Sequence, residues 1–129
     1  AGEVMADGTA IASSSNLGEI GLWKASDGTA IRTFAGHASA VLQLAASSDG
    51  KYLASAGWDR SVKLWNPKDG KLIRTITGHS SIVRGLAFSP NNQWLASSSL
   101  DRTTRISRVV DGTLFRRFTS RPLYLSGLS

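Results

Sequence analysis

The chain has 129 residues, 41% hydrophobic and 19% charged, enough for one domain with a real core, and it has no cysteine, which excludes disulfides, thiolate nucleophiles and cysteine-ligated zinc. It contains no apolar run of 18 residues, so no membrane-spanning helix is read. Its net charge of +6 is uneven: residues 1–50 carry Lys24 and Arg32 against Glu3, Asp7, Glu19, Asp27 and Asp49, a balance of −3, whereas residues 51–129 carry thirteen Lys or Arg against four Asp, a balance of +9.

The basic half fits an acidic partner or nucleic acid, and equally a solvated face of long side chains. The N-terminal stretch AGEVMADG is short, acidic and broken by glycine, so no signal peptide is read there, although the chain starts without Met. Absence of cysteine is compatible with a cytoplasmic location, which is the expectation.

Along the chain, NLGEIGLWKASDG (16–28) is followed 42 residues later by WDRSVKLWNPKDG (58–70), and after 42 more by LDRTTRISRVVDG (100–112). Asp-Gly falls at 27–28, 69–70 and 111–112, and Ala-Ser at 12–13, 54–55 and 96–97. Gly-His falls at 36–37 and 78–79, with Ser120-Arg121 in the third slot, and Trp falls at 23 and 65, with Ser107 in the third. No insertion disturbs the period, although loops tolerate insertions readily.

Within the middle copy the expected strands are AVLQLAA (40–46), YLASAG (52–57), SVKLW (61–65) and KLIRTIT (71–77), separated by Gly-, Pro- and Asp-rich turns. No stretch keeps a helical apolar period. Each copy therefore reads as a four-stranded antiparallel meander with two apolar faces, which only stacking on neighbours can cover.

The middle copy, GHASAVLQLAASSDGKYLASAGWDRSVKLWNPKDG, resembles a repeat of the WD-repeat (WD40) β-propeller family: Gly-His, Ser-Asp-Gly, Leu-Ala-Ser, an Asp in the next turn and Leu-Trp occur in order. The resemblance implies an all-β partial propeller of about three blades. A first blade over 1–35 lacks most of its first strand, a second spans 36–77, a third 78–119, and a fourth starts over 120–129. Three periods fall short of the about 4–8 blades of closed propellers. The chain is thus expected to be a segment of a longer polypeptide, or to self-associate head to tail into a ring of six or nine blades.

His37, Ser55 and Asp59 invite a hydrolase reading, but the sequence has no Gly-x-Ser-x-Gly elbow and no helix N-terminus for an oxyanion hole. The resemblance instead implies a structural tetrad of His37, Ser55, Asp59 and Trp65. The first copy departs from it at Leu17, in the Asp position, and the third at Ser107. No catalytic residue, cofactor or metal is expected: two histidines 42 residues apart are poor ligand spacing.

In this family partners bind loops and the rim of one face. Carried over, the binding positions are Asn16, Ala40, Leu42, Trp58, Ile82, Arg84, Leu100 and Tyr124, with Ser126 beside it. Trp58 precedes the turn Asp59, where a polar residue would serve; beside a Leu and an Arg it has the composition of an interface hot spot, or else packs on the adjacent blade's loop. The expected function is a non-catalytic protein-interaction scaffold. The alternative is nucleic acid or another polyanion bound through Arg102, Arg105, Arg108, Arg116, Arg117 and Arg121.

Overall fold

The computed structural model describes residues 2–5, 8–37 and 39–119. The positions Ser120, Arg121, Tyr124 and Ser126, and the start of a fourth blade, lie outside the described residues. Twelve strands form three antiparallel four-stranded sheets, and the described residues contain no helix. The first sheet is β1 (Gly2–Val4), β2 (Ala10–Ser14), β3 (Glu19–Lys24) and β4 (Ala30–Ala35). The second is β5 (Val41–Ala46), β6 (Leu53–Gly57), β7 (Val62–Trp65) and β8 (Leu72–Ile76). The third is β9 (Val83–Phe88), β10 (Trp94–Ser99), β11 (Thr103–Arg108) and β12 (Leu114–Thr119).

Each sheet is a meander because its turns are chemically specified. Gly28, Gly70 and Gly112 close the third-to-fourth-strand turn of each sheet at φ 74°, 75° and 73°, a conformation that costs glycine little. The preceding aspartate pins the same turn: Asp27, Asp69 and Asp111 each accept the backbone N–H two residues on, at 2.9 Å. All three sheets also carry an irregularity between strands three and four at one repeat position, Leu22/Trp23, Leu64/Trp65 and Ile106/Ser107.

The sheets stack through their inner strands, β1 and β2 against β5, and β5 and β6 against β9. Ala12, Ile20, Leu22 and Phe34 of the first sheet bury against Val41, Leu44, Leu53 and Trp65 of the second. Ala54, Ala56, Val62 and Leu64, on the opposite face of the second sheet, bury against Val83 and Leu95 of the third. Alternating side chains thus supply both faces of the middle sheet. All of β6 is buried, whereas β12 is exposed along its length.

Candidate functional site

The turns after the second strand of each sheet, and the loops leading into β5 and β9, lie along one edge of the stack, called here the upper edge. His37, in the loop before β5, hydrogen-bonds Asp59 through Nδ1 at 2.8 Å and Ser55 through Nε2 at 2.6 Å. Trp65 Nε1 donates to the same Ser55 Oγ at 2.8 Å. Asp59 Oδ1 also accepts from the N–H and Oγ of Ser61. One proton arrangement satisfies the chain: Trp65 donates to Ser55, Ser55 donates to His37 Nε2, and His37 Nδ1–H donates to Asp59.

That arrangement braces β6 and β7, the turn between them and the loop before β5, and it leaves no reactive group. Ser55 is fully buried, with its oxygen occupied by an indole N–H. Trp65 stacks on Phe34 of the first sheet at 5.3 Å between ring centroids. Its ring lies so close to Gly36 that a Cβ there would overlap it. The glycine before His37 is therefore a steric requirement of the tryptophan.

The third sheet keeps the hydrogen bonds without the ring. His79 meets Asp101 at 3.0 Å and Ser97 at 2.9 Å, and Asp101 also binds Thr103 and the backbone of Ser80. Ser107 stands in the Trp slot, and the space beside it is filled: the guanidinium of Arg105 lies against Gly78, 2.6 Å from where a Cβ would be, as the Trp65 ring lies against Gly36. Arg105 sits on the same face as Ser107, two residues away, and its Nε is buried without a partner. Ser107→Trp should therefore overpack the site and destabilise the chain by about 1–3 kcal/mol. Adding Arg105→Lys, which copies Lys63 of the second sheet, should recover most of the loss. Urea midpoints check this; a single variant more stable than the native chain would contradict it.

Burial holds the imidazoles of His37 and His79 below their ordinary value, against the opposing pull of Asp59 and Asp101. Burial pushes the Asp59 carboxyl up, but the hydrogen bonds from Ser61 and His37 outweigh it and hold the group below its usual range. Asp101 is held further down in the same way, by Thr103, His79 and Ser80. Both shifts have one sign: each group releases its proton more readily when folded. The unfolded chain then binds more protons as pH falls below 6.5, the ordinary value for histidine, and again below 3.8, that for aspartate. Stability should be level above about pH 7 and fall as the medium is acidified. A midpoint that rose between pH 7 and pH 5 would contradict the assignment.

The first sheet has the Trp-Ser pair alone. Trp23 Nε1 donates to Ser13 Oγ at 2.8 Å, and Leu17, in the aspartate's position, points to solvent.

Of the carried-over binding positions, Asn16, Trp58 and Leu100 occupy equivalent upper-edge turns. Trp58 is 55% exposed and Leu100 50%. The backbone beneath each is held: Trp58 N donates to Ala40 O, and Leu100 N to Ile82 O. Arg60 and Arg102 follow at φ 69° and 68°, exposed beside the apolar tips. Ala40, Leu42 and Ile82 are half-buried, because they begin inner strands or lead into them, and Arg84 is exposed on β9. No group of three or more His, Cys, Asp or Glu that could hold a metal occurs among the described residues, and no helix is long and apolar enough to cross a membrane.

The arginines of the basic half do not share one surface. Arg105 is tucked onto Gly78. Arg108 covers the rings of Trp94 and Phe115, Arg116 covers Phe115, and Arg102 belongs to the upper edge. Arg117 pairs with Arg105 across the opposite face of the sheet, and Arg121 is outside the described residues.

Repeated four-stranded meanders, stacked face to face and braced by a His–Ser–Asp network, define a repeat protein of the β-propeller type. The family model described as WD domain, G-beta repeat matches residues 28–66 and 70–106, and the chain belongs to this family. Among solved structures it is similar to "Crystal structure of RRP9 WD40 repeats" and to "Structure of U3-55K", each with a TM-score of 0.90 and 31% identity over 94% of this chain. The chain spans 38% and 39% of those two chains. No curated protein matches.

Proposed function

We propose that the chain is a non-catalytic protein-interaction scaffold, one part of a larger WD-repeat propeller, which binds an acidic peptide segment with apolar anchors across its upper edge. The observation that carries this reading is Trp58: a large ring, half exposed, on a turn whose backbone is pinned to Ala40. Rigid aromatic anchors flanked by arginine are the composition of binding hot spots. Leu100 repeats the apolar tip in the next sheet, and Arg60 and Arg102 supply positive charge next to each. Non-catalysis is supported by the saturation of Ser55, and a cytoplasmic setting belongs to the same reading.

A salt series separates this reading from polyanion binding. The chain is titrated with synthetic peptides alternating glutamate with leucine or phenylalanine, and separately with a single-stranded polynucleotide. Anchored peptide binding should weaken by less than about tenfold between 50 and 200 mM salt, whereas binding through many phosphates loses about 10³-fold or more. Polynucleotide binding tighter than any peptide, with that steep salt slope, would replace the scaffold reading.

A further inference from the structure

The two junctions between sheets are repeats of one another, yet one of them lacks a ring that the other has. The turns after the first and third strands form the lower edge of the stack, and there a groove runs along each junction. Between the second and third sheets it has a volume of about 370 Å³ and is lined by Tyr52, which packs against the core those sheets share. One period earlier, between the first and second sheets, the counterpart of Tyr52 is Ala10. Ala10 packs in the same way against its own core but is too short to fill the groove, which there reaches about 470 Å³. Both walls belong to sheets that pack on each other, so the groove is a feature of the junction.

Its walls suit a planar apolar guest. Met5, Ala10, Leu22 and Ile31 line it; Met5 and Leu22 are buried, whereas Ile31 is 43% exposed. Met5 stands where the second sheet has Ser47, and a thioether adapts its shape to a ring and makes favourable contact with it. A few hundred Å³ with apolar walls and few polar groups is the usual form of a ligand site. Two charged side chains line the mouth, Asp49 and Lys68. Asp49 is turned to its own loop, where Oδ1 accepts from the Ser47 hydroxyl at 2.6 Å and from the Lys51 N–H at 3.0 Å. Lys68 is exposed on the turn after β7, and among the described residues no carboxylate pairs with its ammonium. The ammonium is therefore the charge left to meet a ligand, and it matches an anionic group beside the ring.

We propose that this lower groove binds a phenylalanine or tyrosine side chain of a partner peptide, with an acidic residue next to the ring held by Lys68. Tyr52 shows the approach: its side chain reaches the shared core from the backbone that enters β6, so a ring carried by an extended peptide fits the same place one junction earlier. The site lies at the edge opposite Trp58 and does not depend on what the upper edge binds.

Titration of the chain with the acetylated, amidated dipeptide glutamyl-tyrosine, followed by nuclear magnetic resonance at the methyl groups of Met5 and Ile31, tests this. Both methyls should shift and saturate, and glutamyl-alanine at the same concentration should leave them in place. Ala10→Tyr, which copies Tyr52, should fill the groove, unfold cooperatively at the native temperature or above, and lower the affinity about tenfold or more, the worth of one buried ring. Lys68→Glu, on an exposed turn, should weaken glutamyl-tyrosine and prefer lysyl-tyrosine, and it carries the test if Ala10→Tyr does not fold. Trp58→Ala should bind the dipeptide as the native chain does. Methyls that do not shift in the native chain, native affinity in Ala10→Tyr, or an unchanged preference in Lys68→Glu would overturn the proposal. So would binding lost in Trp58→Ala, which would put the ring at the upper edge, or phenylacetate bound more tightly than the dipeptide, which would make the groove a site for a free aromatic acid.

Discussion

Replacing Trp65 with alanine should lower stability by about 3–5 kcal/mol, a large share of the 5–15 kcal/mol that holds a domain of this size folded. The ring is buried between two sheets and does three things there. It stacks on Phe34, fills the space left by the absent side chain of Gly36, and donates its N–H to Ser55. Truncation leaves a cavity at the junction and removes the donor from a buried hydroxyl. Trp65→Phe should lie between the native chain and the alanine variant, because it restores much of the apolar area without the donor. Urea unfolding at constant slope measures all three; an alanine variant with the native midpoint would remove Trp65 from the junction.

The second large effect is expected at Asp59. Its carboxylate accepts from His37, and from the N–H and hydroxyl of Ser61. Asp59→Ala leaves the buried His37 N–H without an acceptor, at a cost of about 1–3 kcal/mol. Asp111→Ala is the matched control. That carboxylate also accepts two hydrogen bonds, both from Thr113, but its turn is exposed and water replaces them. Asp111→Ala should leave the midpoint where it is, and equal midpoints for the two variants would contradict the brace.

The strands were legible because their boundaries are chemical. Asp-Gly turns and short β-branched runs bracket Val41–Ala46, Leu53–Gly57, Val62–Trp65 and Leu72–Ile76 to within a residue. The His37 network was legible through the family resemblance, since no spacing in a single copy separates it from a hydrolase triad. Two features depend on volumes that a one-dimensional pattern does not contain. Arg105 occupies the Trp slot because the ring is missing above Gly78, and the signal in the sequence was an arginine two residues before the Ser107 substitution. The half-burial of Leu42 and Ile82 follows from inner strands packing against the neighbouring sheet, which a list of rim positions ignores.

Trp58 and Asp59 are adjacent, and under the proposed function they have opposite duties: the ring recognises, the carboxylate braces. The most direct test is the affinity of each alanine variant, under conditions where both are folded, for a peptide that the native chain binds. Trp58→Ala should lose about thirtyfold or more, the loss of about 2 kcal/mol typical of a hot spot, while Asp59→Ala should bind as the native chain does. Native affinity in Trp58→Ala, with binding lost in Asp59→Ala, would contradict the division between an upper edge that recognises and a buried network that only holds the fold.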